Sequence, residues 1–205
     1  FKTVSFHPLL SADKRAVMNA SSTWMAGVTK VALVYPSRFW DLTASNMGLP
    51  GNGPAFQVYD SSTYDMEVTA LTFFAYVPPN SIAQTDDALL AKQVAEQMKS
   101  VWKNFSKPYA DKVFSFTSFH VHRWPANAFI SDDPHPHRIY PHPSPIRALA
   151  SPEWDTALLF AGTETDQVSP GVMEGAIGAA KRVLKRLGIR HSPAEPMTSD
   201  AFASD

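Results

Sequence analysis

The sequence predicts a mixed α+β fold, a sheet with helices packed against it. Three observations predict it. Residues 29–35 (Thr-Lys-Val-Ala-Leu-Val-Tyr) and 67–77 are β-branched, apolar runs, each stopped by proline. Residues 86–102 repeat apolar side chains at spacings of three and four, the pattern of an amphipathic helix. Of 205 residues, 44% are apolar and 18% charged, enough to bury a core and too apolar for a disordered chain.

Composition also excludes function classes. Net charge is −1, so no bulk basic field recruits nucleic acid or an anionic membrane. No apolar run reaches the roughly 18 residues of a spanning helix. The chain has 0 cysteines. That removes disulfides, thiolate metal sites, a cysteine nucleophile and cofactors attached through sulfur.

In chain order, residues 3–6 read as a short strand. The chain opens at Phe1 already in that pattern and without methionine, which we read as a fragment or a processed subunit. Ser11 caps a helix running to about Ala20. Residues 29–35 form a buried strand, and residues 41–55, rich in Gly, Pro and Asn, a loop. Strands follow at 56–59 and 67–77, the second central in its sheet because it is nearly continuously apolar. In the helix at 86–102, Leu90, Val94, Met98, Val101 and Trp102 share a face, and Asp86 and Asp87 suit its first turn. Residues 113–124 read as strand, 125–153 as a Pro- and His-rich irregular segment, and 156–161 as strand. A helix runs from about Pro170 to Leu187 and stops at Gly188. Residues 191–205 read as a tail.

The strand–loop–helix at 156–187 carries the chemistry. A helix N-terminus offers unpaired N–H groups and about half a positive charge, suited to an anionic group or a developing negative charge. Gly162-Thr163-Glu164-Thr165 and Ser169-Pro170-Gly171 let backbone come close to a ligand. Spacing alone leaves two readings open: a ligand loop, with Glu164 on a sugar hydroxyl, or an ordinary strand-to-helix connection with a surface Glu.

Leu159-Phe160-Ala161-Gly162-Thr163-Glu164-Thr165, then six residues, then Val172-Met173-Glu174-Gly175-Ala176, closely resembles the C-terminal flavin motif of the flavin-containing amine oxidases, monoamine oxidases especially. Three further stretches are similar to family segments and lie in the family order. They are Val4 to Leu10 with Lys14-Arg15-Ala16, Thr29-Lys30-Val31 through Phe39-Trp40, and Arg123-Trp124 after a strand. The resemblance spans about residues 3–187.

It implies an FAD site in two parts, of which this chain holds one. The family's N-terminal Rossmann-type βαβ unit with G-x-G-x-x-G has no counterpart here. Gly51-Asn52-Gly53-Pro54-Ala55-Phe56 lacks the third glycine and the strand–helix setting. The implied division is 1–124, a substrate-binding portion; 125–153, a connecting loop; 154–190, the last strand and helix of an FAD-binding domain; and 191–205, a tail. A companion N-terminal FAD-binding segment or subunit is implied with it.

Residue by residue, Lys30 matches the family lysine that holds a water at the flavin and assists reaction with O2. A cation inside an apolar strand needs a partner; the residues alone leave open a lysine whose amine reaches solvent. Trp124 matches the Trp packed near the flavin ring, and Met173 the residue whose N–H lies by a flavin carbonyl. Gly162, Thr163, Glu164, Gly171 and Val172 complete the implied cofactor contacts, with Glu164 on FAD hydroxyls. Phe74 aligns with a substrate-site aromatic, and a plain core role stays open beside it.

Three departures qualify the match. Lacking cysteine, the chain excludes the cysteinyl flavin link of monoamine oxidases, so FAD is held without that bond. Val172 stands where monoamine oxidases usually carry a Tyr wall of the substrate cage. Pro125 to Phe129 lacks the family's usual glycines. His120 and His122 share a strand face, with His135, His137 and His142 in the Pro-rich segment; nothing at fixed spacing completes a metal site, and none is assigned. The implied function is FAD-dependent oxidation of an amine to an imine, with O2 reduced to H2O2. The alternatives are another oxidase of the superfamily, acting on amino acids or polyamines, and a non-catalytic binding module.

Overall fold

The structure, a computed structural model, describes residues 4–21, 23–78, 85–130 and 142–189. In chain order the regular elements are α1 (Ala12–Ala20), β1 (Thr29–Tyr35), β2 (Met47–Gly48), β3 (Ala55–Asp60), β4 (Thr69–Ala75), α2 (Asp87–Lys103), α3 (Lys107–Lys112), β5 (Ser118–Arg123), α4 (Arg147–Ala150) and α5 (Met173–Arg186). They fall into two compact units, one of residues 1–22 with 142–205 and one of residues 23–141.

The unit of residues 23–141 is built on an antiparallel five-stranded sheet in the order β2-β3-β4-β1-β5. The expected strand at 67–77 is β4, central as predicted though shorter. Burial alternates along β1, as a strand with one covered face requires. Val31, Leu33 and Tyr35 share a core with Leu71 and Phe73 of β4 and with Leu90, Val94, Met98 and Trp102 of α2. The three-and-four spacing of α2 thus covers one sheet face. The Asp86 side chain caps α2 by accepting from Leu89 N–H.

Polar groups drawn into this core are paired, as burial demands. Trp102 Nε1 donates to the Ala44 carbonyl at 3.0 Å and the Tyr35 hydroxyl to that of Val113 at 2.9 Å. Burial pushes the Tyr35 phenol well above its ordinary pKa. The buried Gln97 amide accepts from Ala55 N–H at 3.0 Å and donates to the Ala55 carbonyl at 2.8 Å and the Pro50 carbonyl at 3.3 Å.

In the other unit, Ser11 caps α1 by accepting from Lys14 N–H at 3.2 Å. Its own N–H and hydroxyl donate to the Glu153 carboxylate, each at 2.8 Å. Lys14 is fully buried. Its ammonium donates to the carbonyls of Leu149 at 2.9 Å and Ser151 at 2.7 Å and lies over the Phe160 ring. Desolvation lowers its pKa, and nearby Arg182 adds to that, while Glu153 opposes it. Leu10, Met18 and Leu149 form a small core bordered by Phe6, Trp154, Leu158 and Phe160.

Several expectations are corrected. Residues 4–6 are not strand. Residues 156–161 are not strand either. Trp154, Asp155 and Thr156 take positive φ of 53°, 51° and 78°, and a single bridge joins Glu153 to Leu158. Strand propensity needs a neighbouring strand to pair with, and none of β1–β5 lies in this unit. Residues 41–55 hold a 3₁₀ turn at Leu42–Ala44 and the strand β2 within the expected loop. The strand expected at 113–124 is only β5, preceded by α3. The last helix begins at Met173 rather than Pro170. A 3₁₀ turn at Trp124–Ala126 spans the end of the strand expected at 113–124 and the start of the expected irregular segment, within which α4 is a short helix. Residues 131–141, with His135 and His137, and the tail at 191–205 lie outside the described residues.

Candidate functional site

The face of the sheet turned away from α2 carries one group of candidates. The alternation that buries Val31 and Leu33 puts Lys30 and Ala32 on this opposite face. Antiparallel register then sets Lys30 opposite Phe74 on β4 and opposite His122 on β5, with Gln57 of β3 beyond Phe74. The result is one cross-strand row: His122, Lys30, Phe74, Gln57. Lys30 and Phe74 are half-buried.

The Lys30 ammonium stands 4.9 Å from the Phe74 ring centroid. This cation–π contact is worth about 0.5–1 kcal/mol, more when desolvated. Tyr59 and Phe56 flank Phe74 with ring centroids 5.2 Å and 6.3 Å away. Trp124 follows directly on β5. Its N–H donates to the Val28 carbonyl at 3.3 Å, and its ring lies edge-on to that of His122, 4.2 Å between centroids. Arg123 fixes this end of the sheet to the start of α2 by pairing with Asp87 and donating to the Thr85 carbonyl at 2.9 Å. A cation, an imidazole and flat ring surfaces thus share one open sheet face.

The second group lies in the other unit, at the start of α5. Thr163–Thr165 is a 3₁₀ turn. Thr163 Oγ1 donates to the Val172 carbonyl at 2.6 Å and Thr165 Oγ1 to the Gly162 carbonyl at 2.7 Å. The Asp166 carboxylate accepts from Ser169 N–H at 2.8 Å and Val168 N–H at 3.0 Å. These bonds hold its pKa below the usual carboxylate range against partial desolvation, and Arg182 adds a smaller pull. Gly171 takes φ 82° at the turn into the helix, a conformation glycine adopts freely. Gly175 is buried against this loop: an added Cβ would sit 1.9 Å from the Ser169 carbonyl oxygen. The N-cap residue of α5, Val172, makes no side-chain cap hydrogen bond. The helix's first N–H groups and the positive end of its dipole are available to an acceptor. Glu164 and Met173 are exposed.

The structure therefore brings Lys30, Phe74 and Trp124 to one sheet face. It gathers Gly162, Thr163, Glu164, Gly171, Val172 and Met173 around one turn and helix start. The sequence reading weighed His122 only as a metal ligand, and it passed over Tyr59 and Phe56. Their signal was the alternation along β5 and β3, which becomes informative only when register sets those strands around Lys30. Among the described residues, no three His, Asp or Glu side chains gather as a metal site would need. Within the unit of residues 23–141, flat rings and a cation suit the face of a planar group; within the other unit, the N–H groups at the start of α5 suit acceptor atoms.

The solved structures it matches share this fold. A putrescine oxidase triple mutant redesigned at its cofactor site aligns with a TM-score of 0.62 at 14% identity, covering 92% of this chain and 40% of that one. Wild-type putrescine oxidase bound to putrescine gives 0.61 at 13% identity with the same coverage. Cyclohexylamine oxidase from Brevibacterium oxydans IH-35A gives 0.61 at 22% identity, covering 90% of this chain and 40% of that one. The chain thus spans 40% of the length of these proteins. The family model for flavin containing amine oxidoreductases matches residues 1–186, and the chain belongs to that family.

Proposed function

We propose that this chain supplies the substrate side and one wall of the flavin site of an FAD-dependent amine oxidase. The observation that carries the reading is the Lys30–Phe74 pair on the open sheet face: a half-buried cation held on a π surface, with Trp124 at the same end of the sheet. Bound FAD supplies the two-electron oxidation that turns an amine into an imine, and O2 takes up the electrons as H2O2.

The chain's own residues do the positioning. Phe74, with Tyr59 and Phe56 around it, gives the amine's carbon skeleton an apolar surface. Lys30 places positive charge, through a held water, where negative charge develops as O2 is reduced. Met173 N–H and the dipole of α5 would favour electron density on an acceptor atom of the bound cofactor. Gly162, Thr163, Glu164, Gly171 and Val172 would hold the cofactor at their turn, and Trp124 would offer its ring a flat surface. The flavin is held without a cysteinyl bond, since the chain has 0 cysteines.

A companion segment or subunit carrying the nucleotide-binding unit completes the site. Its support is the outward stripe of α5, where Met173, Ile177 and Leu187 are 75%, 53% and 56% exposed. Exposed apolar stripes of this kind mark docking faces. The chain alone then binds a hydrophobic dye; a monomeric, dye-silent preparation counts against the companion.

In the flavin-loaded protein, Lys30→Met slows flavin reoxidation by O2 far more than reduction by amine. Equal effects on the two half-reactions refute the role. Val172 favours a second reading, a polyamine or amino-acid oxidase of the same superfamily, because it lacks the aromatic wall of the monoamine oxidase cage. A substrate panel with peroxide readout separates the two.

A further inference from the structure

A cationic depression lies in the unit of residues 1–22 with 142–205, on a different face of α5 from the apolar stripe. Gly175, Ala179, Arg182 and Arg186 recur along α5 at spacings of four, three and four, so they share a face. Gly175 and Ala179 are buried, Arg182 half-buried and Arg186 exposed. The Arg182 guanidinium reaches the Ala150 carbonyl at 3.3 Å. Arg147 lies one turn before Ala150 on α4. Arg147, Arg182 and Arg186 therefore line one pocket of about 640 Å³, with Ser151 and Gln167.

Among the described residues, no carboxylate lines this pocket. The acid that does act on Arg182, Asp166, is engaged by Ser169 and Val168 N–H. Among the described residues, Arg147 and Arg186 have no ion pair. Arg182 gives its terminal nitrogens to the carbonyls of Ala150 and Phe160 and to Thr165 Oγ1, yet its buried Nε–H has no partner. Like charges at i,i+4, as in Arg182 and Arg186, repel. Three guanidiniums, of which only Arg182 has an acid nearby, gain most from a multivalent oxyanion, which accepts several charge-assisted bonds in the planar fork geometry of arginine.

We propose that this pocket is a binding site for a phosphate group, free or carried by a larger ligand. It is independent of the flavin reading. The test is titration of the 205-residue chain with inorganic phosphate at constant ionic strength, followed by NMR shifts of the amides around residues 147–151 and 182–186.

Arg147 and Arg186 are exposed and hold nothing else through their side chains, so the double variant Arg147→Ala, Arg186→Ala keeps the fold. Saturable binding that weakens at least about tenfold in the double variant, and is unchanged in Lys181→Ala on the solvent side of α5, supports the site. Arg147→Lys, which keeps the charge but not the fork, weakens binding by a smaller factor. Phenyl phosphate binding more tightly than inorganic phosphate assigns the pocket to an esterified phosphate; equal or weaker binding assigns it to the free anion. Absence of saturable binding, an effect matched by chloride, or equal losses in Lys181→Ala and the double variant overturns the proposal.

Discussion

Replacing Gly175 by alanine tests how α5 holds the turn of residues 163–169. By helix propensity alone the change stabilises α5 by about 1 kcal/mol, because glycine is the poorer helix former. The structure predicts the opposite sign. An added Cβ would lie 1.9 Å from the Ser169 carbonyl oxygen, 2.8 Å from its carbon and 2.8 Å from Thr163 Oγ1. A carbon and a carbonyl oxygen normally stay about 3.3 Å apart. The overlap with Ser169 is thus roughly 1.4 Å, and it falls on backbone. The helix cannot retreat freely, since Ala179, one turn on, is itself fully buried. Overpacking costs about 1–3 kcal/mol, and a backbone obstacle calls for the upper end. Set against the propensity gain, the net loss is about 2 kcal/mol.

Urea unfolding followed by far-UV circular dichroism reads this as a midpoint lower by about 1 M, for slopes near 2 kcal/mol/M. Faster hydrogen exchange at Thr165 and Asp166, whose amides donate to the Gly162 and Thr163 carbonyls, places the damage in the turn. Ala180→Gly, on the exposed side of the same helix, loses about 1 kcal/mol as a propensity control. A Gly175→Ala variant as stable as the parent, or more so, refutes the close packing of turn on helix.

Gln97→Leu leaves both Ala55 backbone groups without their buried partner and costs about 2–4 kcal/mol in urea unfolding; a change below about 0.5 kcal/mol contradicts the bonds described. Tyr35→Phe strands the Val113 carbonyl and lowers stability by about 1–2 kcal/mol, measured the same way. Glu153 gives a pH dependence. The Ser11 backbone N–H and hydroxyl, and then Lys14, hold its folded pKa below the usual 4.5. The unfolded state therefore binds more protons through that range, so the stabilisation is present above the ordinary carboxylate pKa and is lost as pH falls through the folded one. Melting temperatures of the parent and Glu153→Gln, compared from about pH 7 to about pH 3, converge on acidification; a constant gap contradicts the sign.

Elements whose stability is local were legible. Ser11 caps its helix as read, Asp86, expected in the first turn, is the cap of the next helix, and the apolar periodicity of residues 86–102 maps onto the covered sheet face. The last helix was legible as a helix, though it starts at Met173. Its apolar positions, however, face outward, and its small residues Gly175 and Ala179 face its own unit, where the loop comes too close for anything larger. Elements that depend on a neighbour were misread or missed. Residues 156–161 have strand composition, yet three left-handed residues precede Leu158 and, among the described residues, no strand of this unit pairs with them. Helix α3 is too short for a periodic signal and contains a proline; it is held through buried Ala110. The pairing of Lys30 with Phe74 and His122 is a matter of register between strands more than forty residues apart, which composition does not carry. Burial of Lys14 was equally hidden, because lysine is rarely interior and only the folded chain shows the Leu149 and Ser151 carbonyls that receive its ammonium.

The most direct test of the central claim is the visible absorption spectrum of the native protein, isolated with whatever polypeptides accompany it, before and after anaerobic addition of a primary amine. The account predicts oxidised-flavin bands that bleach with the amine and return, with peroxide, when O2 is admitted. A preparation that stays colourless with excess FAD, or carries flavin that no amine in the panel bleaches, contradicts it.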